Sequence, residues 1–224
     1  MSESEFAEAE RAAFYTILAR RRDIRRFVPE RPIPPDVLER ILLAAHQAPS
    51  VGYSQPWDFI IVRDVETRKR IRKSFLRCRE VEAERYTAER RAKYLAYQLE
   101  GILESALNIC VTVDMRARDE PVLGTTTQAE TLRSSTCCAI QNLWLAARAE
   151  GVGVGWVSIL DPDVVRTELG LPAGVELVAY LCVGYPIEFG DRPMLEETGW
   201  RPRRPLESVW HEGRFGVPRS SGGR

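Results

Sequence analysis

The stretch Ser134 to Ile159, SSTCCAIQNLWLAARAEGVGVGWVSI, limits the possible folds of this chain more than any other part of it. Its first half reads as a helix, with Ser134, Ser135 or Thr136 placed to supply an N-cap oxygen and Gly151 placed to take the left-handed position after the last turn. Cys137, Cys138, Ala139, Ile140, Leu143, Trp144, Leu145, Ala146, Ala147 and Ala149 leave almost no polar side, which predicts a buried helix. Gln141, Asn142 and Arg148 interrupt it, and it is too short to cross a membrane. Val152 to Ile159 then alternates glycine with β-branched and aromatic residues and reads as a strand. Gly151, Gly153 and Gly155 imply that something flat or bulky comes close to the backbone. Gln141, Asn142 and Ser158 are polar exceptions in this apolar block, and such groups need partners.

A core built round that block fits one domain, because 224 residues bury enough surface for it. We read residues 1–217 as that domain, a segment of about 75–105 as its lid, and 218–224 as a disordered tail. Basic and acidic residues balance at 32 each, so no global field points to nucleic acid or to an anionic membrane. The first residues are polar and acidic, unlike a signal peptide, and no apolar run reaches membrane-spanning length. The five cysteines are odd in number and include no Cys-x-x-Cys. Cys110, Cys137, Cys138 and Cys182 read as small buried hydrophobes of a reducing, cytoplasmic environment. His46 and His211 are the only histidines, so no metal site is expected.

Taken in order, residues 1–5 are expected to fray and a helix follows from about Phe6 to Ala19. The run Arg20 to Phe27 is either a solvated basic turn or an anion site, since several guanidinium forks in one turn match phosphate oxygens. A helix is predicted over Asp36–His46 and ends before Pro49. The loop Ala48–Trp57 offers Ser50 and Gln55, which either touch a ligand or satisfy loop backbone groups. A strand over Trp57–Arg63, a short helix over Asp64–Ser74 and the charged helical lid segment come next. A second strand covers Leu107–Asp114, and 115–133 reads as a loop. Asp161 and Pro162 start a short helix that ends at Gly170, and Val175–Gly184 is the last strand. Residues 185–217, rich in Pro and Arg, are expected to wrap over the body or a partner. The pattern indicates an α+β domain.

Gly-x-Ser-x-Gly and P-loop motifs are absent. The GlyValGlyValGly run enters a strand from a helix, opposite to the dinucleotide fingerprint. What remains is a pocket with an arginine clamp for a phosphate and glycines beside a flat ring. Asp23, among guanidiniums, is expected to be ionised and able to accept a proton, or else simply to pair with Arg22 or Arg25.

ArgArgAspIleArgArgPhe (Arg21–Phe27), AlaProSerValGlyTyrSerGlnProTrp (Ala48–Trp57), GlnAsnLeuTrpLeuAlaAlaArgAlaGluGlyValGlyValGlyTrpValSer (Gln141–Ser158) and GlyTrpArgProArgArgProLeuGlu (Gly199–Glu207) together resemble the FMN-dependent nitroreductase superfamily. Asp23 and Ser158 make the chain most similar to the branch that breaks down reduced FMN with O2 into 5,6-dimethylbenzimidazole, the lower ligand of cobalamin, and erythrose 4-phosphate. The resemblance implies a nitroreductase-like sandwich, a mostly antiparallel central sheet flanked by helices, and a domain-swapped type of homodimer with an extended C-terminal arm. It implies Asp23 and Ser158 as catalytic residues, Ser158 donating a hydrogen bond to oxygen at the flavin. Arg21, Arg22, Arg25 and Arg203 would hold the phosphate and ribityl chain, Ser50 would touch the flavin, and Gly153 and Gly155 would lie by the ring. Gln141 would bond the flavin, or satisfy a buried helix end. A flavin reductase is the implied electron source.

This sequence departs from that branch at Ser54, Leu95, Gln98, Thr127 and Ser134, all in the lid or pocket wall. Two other readings stay open from the residues: an NAD(P)H-dependent FMN reductase of nitroaromatics or quinones with a divergent lid, and a flavin-binding or storage protein without catalysis.

Overall fold

Every residue of the strand Leu107–Asp114 is buried, and that single fact fixes the layering. A strand turns successive side chains to opposite faces, so a fully buried strand needs cover on both. Leu107, Ile109 and Val111 pack with Ile41, Ala45, Ile140 and Leu143. Cys110 packs on the other side with Ile71, Phe75, Val165 and Tyr180. The computed structural model describes residues 5–116 and 121–219. The expected fraying of residues 1–4, the disorder of 220–224 and part of the 115–133 loop fall outside these.

In chain order the elements are α1 (Glu8–Arg20), α2 (Pro35–His46), a 3-10 turn (Val51–Tyr53), β1 (Trp57–Val62), α3 (Val65–Ala83), α4 (Ala88–Ala96), β2 (Leu107–Asp114), α5 (Thr131–Ala149), β3 (Gly153–Val157), α6 (Pro162–Leu169), β4 (Val175–Gly184) and α7 (Met194–Glu197). The sheet runs β1-β2-β4-β3, and each neighbouring pair is antiparallel. Beyond β3 the extended chain adds one parallel bridge, Asp23 to Val154. α2 and α5 cover one face of the sheet, α3 and α6 the other.

Local chemistry explains the boundaries. Asp64 accepts from the Thr67 N–H at 2.8 Å and starts α3; Asp161 accepts from the Asp163 N–H at 3.0 Å and starts α6. Gly170 closes α6 with φ 65°, and Gly151 follows α5 with φ 71°, both in the region glycine enters without strain.

Several expectations are corrected. α5 begins at Thr131, one turn early. Ser134, Ser135 and Thr136 therefore lie inside the helix, where each hydroxyl donates to the carbonyl four residues back. The helix is not buried all round: Leu132, Ala139, Ile140, Leu143 and Ala147 face inward, while Cys137, Cys138 and Gln141 are exposed. The two cysteines are thus not core hydrophobes, unlike Cys110 and Cys182. α3 runs to Ala83 rather than Ser74, because Phe75 and Ala83 reach the interior. Tyr94, Glu100, Ile102 and Ser105, within the expected lid segment, are buried too.

That segment is anchored by a buried cation. Arg68, 5% exposed, donates to the Ile102 carbonyl from Nε at 2.7 Å and to the Ser105 carbonyl from Nη2 at 2.6 Å. The Ser105 hydroxyl accepts from Asn108 at 2.8 Å, and Asn108 accepts from Tyr180 at 2.9 Å. Replacing Arg68 with Met keeps much of the volume but strands two carbonyls at about 1–3 kcal/mol each. Arg68→Met is expected to lower the urea midpoint accordingly, and an unchanged midpoint would show that water serves those carbonyls.

The chain divides into two packed units, Met1–Phe189 and Gly190–Arg224, where the sequence reading takes one domain through residue 217. The second unit holds α7, a 3-10 turn at Leu206–Ser208 and a bridge from His211 to Pro218. The Arg219 guanidinium lies 4.2 Å from the Trp210 ring centre, and Phe215 is 95% exposed.

Candidate functional site

The alternating glycines of β3 do invite a close approach, and the neighbour is the chain itself. A Cβ on Gly155 would stand 2.0 Å from the Ile24 carbonyl oxygen and 2.8 Å from Arg25 Nη1. A Cβ on Gly153 would meet the Ile24 side chain at 3.0 Å. The bare edge of β3 is therefore a seat for residues 23–25. Ile24 N–H donates to the Val154 carbonyl at 3.0 Å, and the Trp156 N–H donates to Asp23 Oδ1 at 3.0 Å. Residues Ile24 and Arg25 fill the Cβ side of these glycines.

This seating builds an ion pair into the strand edge. Arg25 Nη2 donates to Asp23 Oδ2 at 2.5 Å and to the Trp156 carbonyl at 2.6 Å. The Asp23 side chain is 44% exposed, open to one side and crowded by β3 on the other. Burial raises its pKa above the usual aspartate value, against the lowering pull of Arg25, the Trp156 N–H and Arg21. This reverses the expectation that the guanidiniums dominate. Losing water on the β3 side outweighs the attraction, and the carboxylate becomes a better base for it. Arg25 Nη1 is buried with no hydrogen-bond partner among the described residues. A buried guanidinium N–H of this kind calls for an oxygen acceptor.

Upstream, Arg21 lies over Trp144 with its guanidinium 4.9 Å from the ring centre. Trp144 in turn stands beside Trp156, ring centres 6.4 Å apart. Arg22 donates from Nη1 to the Ala19 and Arg21 carbonyls, both at 2.7 Å. Arg21, Arg22, Asp23, Arg25, Gly153 and Gly155 thus come together as one group. Ser158 is exposed just beyond the end of β3, two residues on from Trp156.

Ser50 belongs elsewhere. Its Oγ accepts from the Gln55 N–H at 3.0 Å, the loop-satisfying role. The Val51 N–H donates to Ser135 at 3.0 Å, which fastens this loop to the start of α5. Trp144, where Arg21 docks, lies nine residues further along α5, about 13 Å at the helical rise. Gln141 is exposed on that helix, so it satisfies no buried helix end. Arg203 lies, exposed, in the second unit. Within the first unit the Ser50 loop and the Asp23 group are therefore separate along α5.

Three residues make contacts that sequence reasoning did not foresee. Gln98 donates from Nε2 to the Arg25 carbonyl at 3.0 Å, tying the 97–105 segment to the residues on β3. Trp144 and Trp156 read as core aromatics, although their positions opposite the basic run could have suggested more. The Ser50 loop is strained, with positive φ at Tyr53 (53°) and Gln55 (45°), a conformation non-glycine residues seldom adopt. Ser54 Oγ, in the same loop, is buried with no hydrogen-bond partner among the described residues.

The model of the nitroreductase family matches residues 18–185. A 5,6-dimethylbenzimidazole synthase from Rhodospirillum rubrum is 45% identical over 83% of this chain and 87% of its own length. A 5,6-dimethylbenzimidazole synthase from Rhodobacter capsulatus is 36% identical over 90% of this chain and 97% of its own. Among solved structures, iodotyrosine deiodinase bound to FMN and 3-iodo-L-tyrosine superposes with a TM-score of 0.69 at 24% identity, covering 86% of this chain and 96% of that one. At such identity the likeness concerns the fold. No helix among the described residues is long and apolar enough to cross a membrane.

Proposed function

The chain belongs to the nitroreductase family, and from that premise we propose that it cleaves a flavin rather than merely cycling one. It is an FMN-dependent oxidoreductase that converts reduced FMN and O2 to 5,6-dimethylbenzimidazole, with erythrose 4-phosphate as the second product. The observation that carries this reading is the 45% identity to a 5,6-dimethylbenzimidazole synthase over 83% of the chain. The bound flavin supplies the reaction with oxygen and is itself the substrate.

The chain's own residues bind, orient and move protons. The unpartnered Arg25 Nη1 and Ser54 Oγ fit an oxygen-rich ligand such as the flavin and its ribityl phosphate. Arg21, Arg22 and Arg25 hold the phosphate and ribityl chain as planar forks. Asp23 takes a proton from the ribityl chain, held in place by Trp156 and Arg25. Ser158 offers a hydroxyl donor toward the reacting ring. Gly153 and Gly155 serve by seating Asp23 and Arg25, and Gln141 and Ser50 meet the flavin from α5 and its adjoining loop.

A homodimer completes the site. Two features of the isolated chain support it: the groups around Ser50 and Asp23 sit apart along α5, and α1 buries none of its residues, with Phe14 53% and Tyr15 67% exposed. The exposed face of α5 and an arm from the C-terminal unit would contribute to the contact. Reduced FMN comes from a separate flavin reductase, and the enzyme works in the cytoplasm, where unpaired thiols persist.

The test is to reduce FMN anaerobically on the purified protein, admit oxygen and separate the products by chromatography. 5,6-Dimethylbenzimidazole is expected. Reoxidation to intact FMN alone would sink the reading.

A further inference from the structure

Trp144 touches the basic segment in two chemically different ways. Its indole Nε1–H donates to the Arg22 carbonyl at 3.2 Å, and its ring face carries the Arg21 guanidinium at 4.9 Å. One turn along α5, Arg148 Nε donates to the Arg20 carbonyl at 3.2 Å. The side-chain donors of Trp144 and Arg148, one turn apart on α5, thus hold the carbonyl of Arg20, the last residue of α1, and that of Arg22 just beyond it. Beyond Arg22 the segment is fixed again by β3, at the Ile24 N–H and the Asp23 carboxylate.

Between these two fastenings the Trp144 ring supports the Arg21 guanidinium from one side. A guanidinium stacked on an aromatic face directs its N–H donors sideways, in its own plane, so stacking and anion binding do not compete. The neighbouring Trp156 ring, 6.4 Å from Trp144, backs that surface.

We propose that Trp144 is the positioning residue that makes this site select a flavin bearing a terminal phosphate monoester over one without it. It does so by holding the Arg21 fork toward the phosphate. The inference rests on the reading of Arg21 as a phosphate contact and goes beyond it, since it assigns the discrimination between FMN and riboflavin to the residue that positions that contact.

Quenching of flavin fluorescence gives the dissociation constants of FMN and riboflavin for the wild type, Trp144→Phe, Trp144→Leu and Arg21→Gln. The wild type is expected to prefer FMN, and Arg21→Gln to lose most of that preference; failure here overturns the phosphate-contact reading itself. Trp144→Leu is expected to weaken FMN binding about tenfold, the scale of a partly desolvated cation–π contact, with riboflavin binding unchanged within about twofold. Trp144→Phe, which keeps a ring but loses the N–H, is expected to fall between. Equal losses for both flavins would show that Trp144 only supports the scaffold, and an unchanged ratio beside a discriminating wild type would overturn the inference alone. Should Trp144→Leu fail to fold, as judged by its melting curve, the Trp144→Phe ratio decides.

Discussion

Asp23→Asn is expected to bind reduced FMN with nearly wild-type affinity and to form 5,6-dimethylbenzimidazole about a thousandfold more slowly, within the range that a positioned general base contributes. The substitution is chosen for what it leaves alone. Asparagine keeps an oxygen for the Trp156 N–H, which now meets Asp23 Oδ1 at 3.0 Å, so the seat on β3 survives. It loses the ion pair with Arg25 and the ability to take a proton. Arg25 keeps its bond to the Trp156 carbonyl and remains in place for the ribityl chain.

The pH profile separates a base from a mere salt-bridge partner. Asp23 has a pKa raised mainly by burial, over the opposing influence of Arg25, the Trp156 N–H and Arg21. A base acts only when ionised, so wild-type product formation should fall as the pH drops through a value above the ordinary aspartate 3.8. The residual activity of Asp23→Asn should lack that limb. If Asp23→Asn instead releases flavin without a change in the per-site rate, the residue is structural and the proton acceptor lies elsewhere.

Much of the fold was legible in the sequence, for identifiable reasons. Pattern carried β2 and β4, because a long apolar strand between polar turns has few alternatives, and the cap chemistry of Asp161 and Gly170 carried α6. Asp23 stood out as a lone acid among arginines. Other features depend on partners far away in sequence. That Gly155 makes room for Ile24, 131 positions earlier, cannot be inferred from GlyValGlyValGly, which suits a ring as well as a backbone. The Asp23 pKa is raised by the water lost on the β3 side while Arg25 and Arg21 pull the other way, a balance that a count of nearby arginines does not show. Ser134 and Ser135 looked like caps because hydroxyls commonly end helices. The helix runs a turn further back, since Leu132 finds a place in the core, and tertiary burial overrides the local preference.

The second large effect is expected at Gly155. In Gly155→Ala the new methyl would lie 2.0 Å from the Ile24 carbonyl oxygen, a backbone atom with no rotamer to retreat into. The extended segment has to lift off β3, breaking the Ile24 N–H to Val154 bond and pulling Asp23 from the Trp156 N–H. Overpacking of this severity costs about 3 kcal/mol, or roughly 6–12 °C in melting temperature for a chain of this size, and product formation should fall with it. Two neighbouring glycines serve as internal controls. Gly153→Ala meets the Ile24 side chain first, at 3.0 Å, a milder approach than 2.0 Å to a backbone oxygen, so its loss should be smaller. Gly151→Ala meets nothing within 4 Å but forces an L-residue to φ 71°, at about 1–2 kcal/mol, and the site should work normally in the molecules that stay folded. Melting curves and single-turnover product yields for the three variants should therefore rank Gly155→Ala last in both, with Gly151→Ala reduced in stability alone. A Gly155→Ala protein that melts and turns over like the wild type would mean that residues 23–25 are not held against β3, and the seat that places Asp23 and Arg25 would have to be abandoned.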